Sequence, residues 1–137
     1  MVVGAATLDT SVIIEILDRG DRELLHELLD RYRIFYIPWI CLYEYLYGHK
    51  FIGSDIAKRK NFVEKLGIVV WCDQRILMRA LEIDIELSKK GLKIPFSDVL
   101  VAAIAMEMDS ELVTLDTKHF SRIPQLKMYV PRKHRHI

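Results

Sequence analysis

The chain has 137 residues, of which 51% are hydrophobic, and its 20 Lys and Arg against 19 Asp and Glu give a net charge of +1 at pH 7. This length suits one domain with a hydrophobic core, and the composition excludes a largely disordered protein. The N-terminus lacks the basic and apolar pattern of a signal peptide, and no run of about 18 purely apolar residues occurs, so we expect a cytoplasmic protein without a membrane segment.

Short apolar runs alternate with segments of helical periodicity along the first half of the chain. The leucines of residues 22–32 recur at helical spacing with charges between them, which indicates an amphipathic helix. Thr10 or Ser11 can cap the first helix, and Pro38 suits the start of the third. The predicted elements are a strand at 2–8, helices at 10–17 and 22–32, a strand at 34–37, helices at 38–48 and 54–66, and a strand at 68–70.

The second half contains a helix that must be central, because residues 99–106 are almost entirely apolar. Ser97 is its predicted cap. The predicted elements are a helix at 73–90 closed by Gly91, the apolar helix from 97 to 106, a strand at 111–115, a short helix at 117–122 and a strand at 127–130. Alternating strands and helices predict one α/β domain, 1–131, with a parallel sheet covered on both faces. A basic C-terminal tail, 132–137, is expected to form a mobile arm.

Four side chains with apolar neighbours are predicted to be buried. Cys41 and Cys72 lack the spacing of metal ligands, so we interpret both as buried thiols. Trp39 and Trp71 are assigned to the core for the same reason. Tyr43, Tyr45 and Tyr47 cannot all face one way on a helix, so part of this aromatic set is expected to contribute to a dimer surface.

Three carboxylates stand alone in apolar sequence. Asp9, Glu44 and Asp98 are each the only charged residue of an otherwise uncharged segment, and Asp116 ends a further apolar run. Moving a carboxylate towards a core costs several kcal/mol unless another group offsets the lost hydration. No equally isolated Lys or Arg accompanies these acids, so we predict that a metal ion supplies the compensating charge.

The predicted elements bring these acids to one edge of the sheet. Asp9 and Asp116 directly follow predicted strands, and ligands of parallel sheets bind outside the carboxyl ends of the strands. Asp98 lies in the first turn of the buried helix, and Glu44 lies about a turn and a half into its own helix. Four adjacent carboxylates raise each other's pKa, and a hard divalent cation relieves that repulsion. Such a site can orient a phosphodiester for hydrolysis.

Each acid also has a purely structural interpretation. Asp9 can cap a helix, Asp98 can interact with a helix dipole, and Asp116 can form part of a turn. Glu44 has the weakest structural explanation, because it is a lone Glu in an aromatic helix. His119 can contact a phosphate or can lie in a surface turn.

With these residues in this order, the chain resembles a PIN domain and, within that family, the VapC-type toxins. The matching stretches are LDTSVII at 8–14, YEYLYG at 43–48, FSDVLVAA at 96–103 and LVTLDTKHF at 112–120. The resemblance implies a three-layer α/β/α fold with a parallel five-stranded sheet. It also implies a Mg²⁺- or Mn²⁺-dependent endoribonuclease that hydrolyses RNA phosphodiester bonds.

The resemblance further implies roles for single residues. The four acids of the family correspond to Asp9, Glu44, Asp98 and Asp116, as catalytic residues and metal ligands. Thr114 corresponds to the supporting hydroxyl, with Ser11 as a second one. The partner that the resemblance implies is a VapB-like antitoxin, whose C-terminal segment covers the acidic pocket with an Arg. The sequence adds two expectations of its own: the basic residues Lys118, Arg132, Lys133 and Arg135 contact RNA, and the apolar surface of the aromatic third helix and the Leu-rich helix at 22–32 supports a homodimer.

Other enzymes also place an Asp after the first strand. A haloacid-dehalogenase-like phosphatase needs a second Asp two positions later, where this chain has Ser11, and a response-regulator receiver needs paired acids that the chain lacks. A flap-endonuclease-type enzyme would need insertions that 137 residues cannot carry. Two alternatives stay open: a housekeeping PIN-domain nuclease that processes RNA, and a non-catalytic RNA-binding or interaction module.

Overall fold

A parallel sheet forms the centre of the computed structural model, which describes residues 4–135. Its strands are β1 (Ala5–Leu8), β2 (Ile34–Pro38), β3 (Ile68–Val70), β4 (Glu111–Val113) and β5 (Met128–Tyr129). They lie in the order β3-β2-β1-β4-β5, and every neighbouring pair is parallel. β1 is therefore the central strand, and β3 and β5 are the edges.

Residues 4–135 contain six α-helices and two short 3₁₀ helices. The α-helices are α1 (Thr10–Leu17), α2 (Arg22–Arg31), α3 (Trp39–Phe51), α4 (Ile56–Leu66), α5 (Gln74–Lys89) and α6 (Phe96–Glu107). The 3₁₀ helices are Phe120–Arg122 and Arg132–His134. None of the helices in this part of the chain has the length and apolar character that a membrane crossing requires.

The structure confirms the predicted three-layer α/β/α fold with a parallel five-stranded sheet. Each predicted strand and helix is present, and the short helix expected at 117–122 is the first 3₁₀ helix. Residues 2–3 of the first predicted strand lie outside the described residues. Hydrophobic periodicity was sufficient for most of these elements because they bury one face or all of their side chains, whereas β3 has no fully buried residue.

The core lies around β1 and α6. Ala6 and Leu8 of β1 are completely buried, and every residue of α6 from 99 to 105 is buried as well. α6 packs on β1, β2 and β4, and α5 packs against α6. This arrangement explains the apolar sequence of α6, because a helix enclosed by a sheet and another helix has no solvent-facing side along these residues.

Two helix starts differ from the prediction. Asp9, rather than Thr10 or Ser11, caps α1, because its side chain accepts a hydrogen bond from the backbone N–H of Thr10. α6 begins at Phe96 after Pro95 and has no side-chain cap, so the prediction for Ser97 was wrong. Ser97 is already inside the first turn of α6, where the Pro95 carbonyl oxygen accepts from the backbone N–H groups of Asp98 and Val99.

The predicted burial of Trp71 and Cys72 was also wrong. Trp71 is 62% exposed and the Cys72 thiol is exposed, whereas Cys41 is completely buried. Both exposed residues follow β3, which is an edge strand whose pairing with β2 ends at Val70, before either of them. Apolar neighbours in the sequence could not reveal that position.

The described part of the basic tail lies against α2 and is not a free arm. The backbone N–H of Arg132 donates to the Glu27 carboxylate at 3.1 Å, and Lys133 lies 2.7 Å from Glu23 and 3.7 Å from Asp21. The reason is complementary charge, since the acids of α2 face the basic residues. Residues 136–137 lie outside the described part of the chain, and the domain boundary at 131 stays a prediction.

Candidate active site

The strand order creates a topological switch point between β1 and β4. From β1 the chain continues through β2 to β3 on one side, and β4 and β5 lie on the other side. Asp9 directly follows β1 and Thr114 directly follows β4, and the Asp9 backbone N–H donates to the Val113 carbonyl oxygen at 3.1 Å. Ligands of open α/β sheets bind in the crevice at this point, outside the carboxyl ends of the strands.

Asp9 is held by three hydrogen-bond donors. Its Oδ1 accepts from the backbone N–H of Thr10 at 2.8 Å, and its Oδ2 accepts from the hydroxyls of Thr114 at 2.8 Å and Ser11 at 3.1 Å. Burial nevertheless raises the pKa of Asp9 above its ordinary value, and the charge of Asp98 raises that pKa further, although the three hydrogen bonds oppose the rise. The donors therefore do not fully offset the lost hydration, and a cation would stabilise the ionised form.

Thr10 joins Asp9 to Glu44. While its N–H holds Asp9, its hydroxyl donates to Glu44 Oε1 at 2.7 Å. Glu44 is exposed and lies on α3, and the same helix carries the buried Cys41. Burial raises the pKa of the Cys41 thiol well above its usual value, and the charges of Asp9 and Glu44 add to that rise. Cys41 is thus a neutral thiol close to the two acids.

Asp98 is paired with His119. The carboxylate is in the first turn of α6, and its Oδ2 lies 2.8 Å from Nδ1 of His119. The two side chains are 24% and 31% exposed. The charge of Asp98 also adds to the raised pKa of Asp9.

Asp116 is the most weakly connected of the four acids. Its backbone N–H donates to the Thr114 hydroxyl at 3.0 Å, and that hydroxyl in turn donates to Asp9. Its own carboxylate is exposed and accepts from the Lys118 backbone N–H at 3.2 Å, as in a turn. Within residues 4–135 no hydrogen bond joins the Asp116 carboxylate to another acid.

The donor set fits a hard divalent cation that keeps part of its water. No group of three or more His, Cys, Asp and Glu side chains is close enough to hold a metal ion in the part of the chain that the structure describes. Mg²⁺, however, is commonly bound by one or two carboxylates together with waters. The carboxylates of Asp9 and Asp98 are of the type that such a site uses, and the pKa of Asp9 is raised mainly by burial and further by the charge of Asp98, so a cation would favour its ionised form.

The basic residues predicted to contact RNA divide into two groups. Lys118 and Arg135 line one groove of about 420 Å³, which also includes Asp116. Arg132 and Lys133 do not line this groove and are paired with Glu27 and Glu23 of α2. The groove therefore connects two of the four basic residues with the carboxylate edge.

Sequence reasoning missed the contacts of Thr10 and His119. Thr10 was interpreted only as a helix cap, and its position next to Asp9 was the available signal. His119 follows Asp116 within the stretch 112–120, which marked it as a neighbour of the site. Neither contact could be assigned without the structure, because their partners Glu44 and Asp98 are 34 and 21 residues away in the sequence.

Comparison with known proteins gives consistent results. The PIN domain family model matches residues 6–126. Ribonuclease VapC of Rickettsia bellii is 33% identical over 138 residues, which cover 92% of this chain and 96% of that protein. VapBC2 of Rickettsia felis, solved bound to a DNA fragment from its promoter, is 24% identical with a TM-score of 0.76 and coverage of 92% and 98%. VapBC-1 of nontypeable Haemophilus influenzae is 21% identical with a TM-score of 0.77 and coverage of 92% and 97%.

Proposed function

The chain belongs to the PIN domain family and to its VapC-type members, and on this basis we propose that the protein is a divalent-metal-dependent endoribonuclease, the toxin of a VapBC-type toxin–antitoxin pair. Metal dependence is typical of PIN-domain ribonucleases. One observation carries the proposal: Asp9 is half-buried at the switch point of the sheet, is held by three donors and still has a raised pKa beside Asp98.

We assign catalysis and metal binding to Asp9, Glu44, Asp98 and Asp116. These residues would hold a Mg²⁺ or Mn²⁺ ion, which would supply the charge needed to polarise the phosphodiester and activate water. Asp9 and Asp98 offer oxygen ligands, and the remaining work of the protein is orientation. The hydroxyls of Thr114 and Ser11 hold the rotamer of Asp9, and their hydrogen bonds oppose the rise in its pKa that burial causes.

Glu44 and Asp116 are exposed, and each has one oxygen engaged by a neighbouring group. Their free carboxylate oxygens are available to orient water or to complete the coordination of the metal when RNA binds. The hydrogen bond from Thr10 to Glu44 keeps this side chain at the edge. Catalytic groups are often loosely placed before the substrate arrives, so an open arrangement fits this role.

RNA is proposed to reach the acids through the groove lined by Lys118 and Arg135. Lysine and arginine bind phosphates regardless of base sequence, which suits a path that carries the RNA backbone. Arg132 and Lys133 are weaker candidates, because their charges are already paired with Glu27 and Glu23.

We also propose a VapB-like antitoxin partner and a homodimer. The support is that the similar structures of Rickettsia felis and Haemophilus influenzae are VapBC complexes. The chain also exposes aromatic surface: Tyr43 is 58%, Tyr47 60% and Phe51 83% exposed on α3, where they line an apolar groove of about 420 Å³. Such a contiguous apolar surface is typical of an interaction site.

The nuclease proposal is tested with the purified protein on total tRNA and rRNA, with Mg²⁺ or Mn²⁺ and then with EDTA. We expect cleavage that EDTA stops and that Asp98→Asn abolishes. Asp30→Asn, at an exposed acid of α2, is the matched control and should cleave normally. Cleavage by pure Asp98→Asn protein would contradict the proposal, and RNA binding without cleavage by the wild type would identify a non-catalytic RNA-binding module.

The toxin assignment is tested by expression without the antitoxin. Growth should stop with the wild type and continue with Asp98→Asn, because an active copy degrades the cell's own RNA. If the wild type is harmless and the purified protein still cuts RNA, the protein is a housekeeping RNA-processing nuclease.

A further inference from the structure

His119 is the feature of the site that the nuclease proposal leaves without a role. Its Nδ1 lies 2.8 Å from Oδ2 of Asp98, and within residues 4–135 no other side chain makes a hydrogen bond to that carboxylate. Asp9, in contrast, has three donors. The orientation of Asp98 therefore depends on a single imidazole.

The imidazole is itself attached to a rigid element. His119 precedes the 3₁₀ helix Phe120–Arg122, and its backbone carbonyl oxygen accepts a hydrogen bond from the backbone N–H of Arg122 at 3.1 Å. Phe120 is buried in the core, which anchors this short helix.

A second link fixes this helix relative to α6. The guanidinium of Arg122 donates to the carbonyl oxygens of Lys93 at 3.0 Å and Leu92 at 3.4 Å, in the segment that leads into α6. His119 is thus joined to α6 in two ways: its ring contacts Asp98, and its backbone is linked through Arg122 to the segment that leads into α6. Such a connection holds a ligand-bearing side chain in one orientation.

We propose that His119 is a positioning residue for Asp98, a role that rests on the proposed nuclease function. The ionised carboxylate can only accept, so His119 donates Nδ1–H to Oδ2. This bond fixes the carboxylate and leaves Oδ1 available to a divalent cation. A partner that orients a metal ligand typically changes metal affinity or activity by about 10–100-fold when it is removed.

Three substitutions in the full-length protein separate positioning from other roles. His119→Ala removes the donor. His119→Asn keeps an N–H donor close to the position of Nδ1, whereas His119→Gln places its amide one bond further along. His26→Ala, at an exposed histidine of α2, is the matched control and should behave as the wild type.

The readouts are Mn²⁺ binding without RNA, by calorimetry or electron paramagnetic resonance, together with kcat and KM for RNA cleavage and the melting temperature. For His119→Ala we expect Mn²⁺ affinity and kcat to fall by about 10–100-fold, with KM nearly unchanged. His119→Asn should recover most of both losses, and His119→Gln should not. All melting temperatures should stay close to that of the wild type.

Several results would overturn the proposal. Unchanged Mn²⁺ affinity in His119→Ala would show that Asp98 needs no positioning. A rise in KM with unchanged kcat would instead indicate a phosphate contact, and an Asn variant as defective as Ala would show that the ring itself is required. If the wild type cleaves no RNA, the nuclease proposal fails, but the Mn²⁺ affinities of the wild type, Ala and Asn proteins still decide the role of His119.

Discussion

Two imidazole–carboxylate pairs of almost equal length lie in different parts of the protein. In the edge pair, His119 and Asp98 are 2.8 Å apart at the carboxyl end of the sheet. In the junction pair, His49 of α3 and Asp18 at the end of α1 are 2.9 Å apart. The distances do not distinguish the two pairs, but their surroundings do.

The junction pair is almost completely satisfied. His49 is buried, and its Nδ1 is 3.1 Å from the Ser54 hydroxyl, while Asp18 also accepts from the Tyr45 hydroxyl at 2.7 Å. Arg59 of α4 lies 3.7 Å from the same carboxylate. Burial, and secondly the bond to Asp18, raise the pKa of Tyr45 to about 12, so this hydroxyl stays a donor. The network joins α1, α3 and α4, and both oxygens of the Asp18 carboxylate have partners in it.

The edge pair has one hydrogen bond and solvent on one side. Asp98 keeps Oδ1 free, and its only side-chain partner within the described residues is His119. A pair whose polar atoms are all hydrogen-bonded contributes to stability, whereas a pair that keeps a free acceptor oxygen at a switch point can bind a ligand. The same chemical pair thus serves the fold or the site according to how many of its atoms remain unpaired.

The largest expected difference between the pairs is in catalysis. Asp98→Asn should lower kcat for RNA cleavage by at least about a hundredfold, since it removes charge from the site. Asp18→Asn, the same substitution in the junction pair, should leave kcat per folded molecule unchanged. Cleavage rates normalised to the folded fraction test this, and similar losses in both variants would contradict the comparison.

The second difference is in stability, where the larger effect is expected in the junction pair and the smaller one in the edge pair. His49→Ala leaves Asp18 and Ser54 without their buried partner, so the free energy of unfolding should fall by about 2 kcal/mol. His119→Ala should lower it by less than about 0.5 kcal/mol, because the edge pair is partly solvated. Urea denaturation of both variants measures the two values. Equal losses would show that the edge pair is also a structural network.

The third prediction concerns the acid that the edge pair faces. The folded state raises the pKa of Asp9 above its ordinary 3.8, so the folded protein takes up this proton at higher pH than the unfolded chain does. Ionised Asp9 therefore costs stability near neutral pH, and the cost disappears as the pH falls through the folded pKa.

Metal-free Asp9→Asn should accordingly melt at a higher temperature than the wild type at about pH 7. The gap should shrink as the pH falls towards 3.8, and adding Mn²⁺ at neutral pH should stabilise the wild type alone. Melting curves across pH, with and without the ion, provide the measurement. A gap that widens in acid would mean that the hydrogen bonds outweigh burial at Asp9.

The smallest effect is expected at an ion pair that is exposed on both sides. Lys133 and Glu23 are 2.7 Å apart, but they are 54% and 76% exposed, so Lys133→Ala should not measurably change the melting temperature.

Deleting residues 132–137 tests separately whether this segment contacts RNA. The salt dependence of RNA binding should become flatter by about 0.7 per lost phosphate contact. An unchanged salt dependence would show that this segment does not contact RNA and only packs against α2.

Much of the fold was accessible from the sequence, because its signals are local. The apolar run at 99–106 predicted the central helix, and alternating strands and helices predicted the parallel sheet. The isolated acids predicted where a ligand site would form. Trp71 and Cys72 were misjudged, because neighbours along the chain do not reveal that β3 is an edge strand.

The sequence by itself therefore determined which segments are buried and which carboxylates stand out. Only the tertiary structure decided their partners: Thr10 for Glu44, His119 for Asp98, and Thr114 for Asp9 across 105 residues. The physical reason is that burial follows from periodicity within one element, whereas hydrogen bonds between elements depend on strand order and register. His49 and His119 look alike in the sequence, and the packing of separate helices makes one of them structural and places the other at the carboxylate edge.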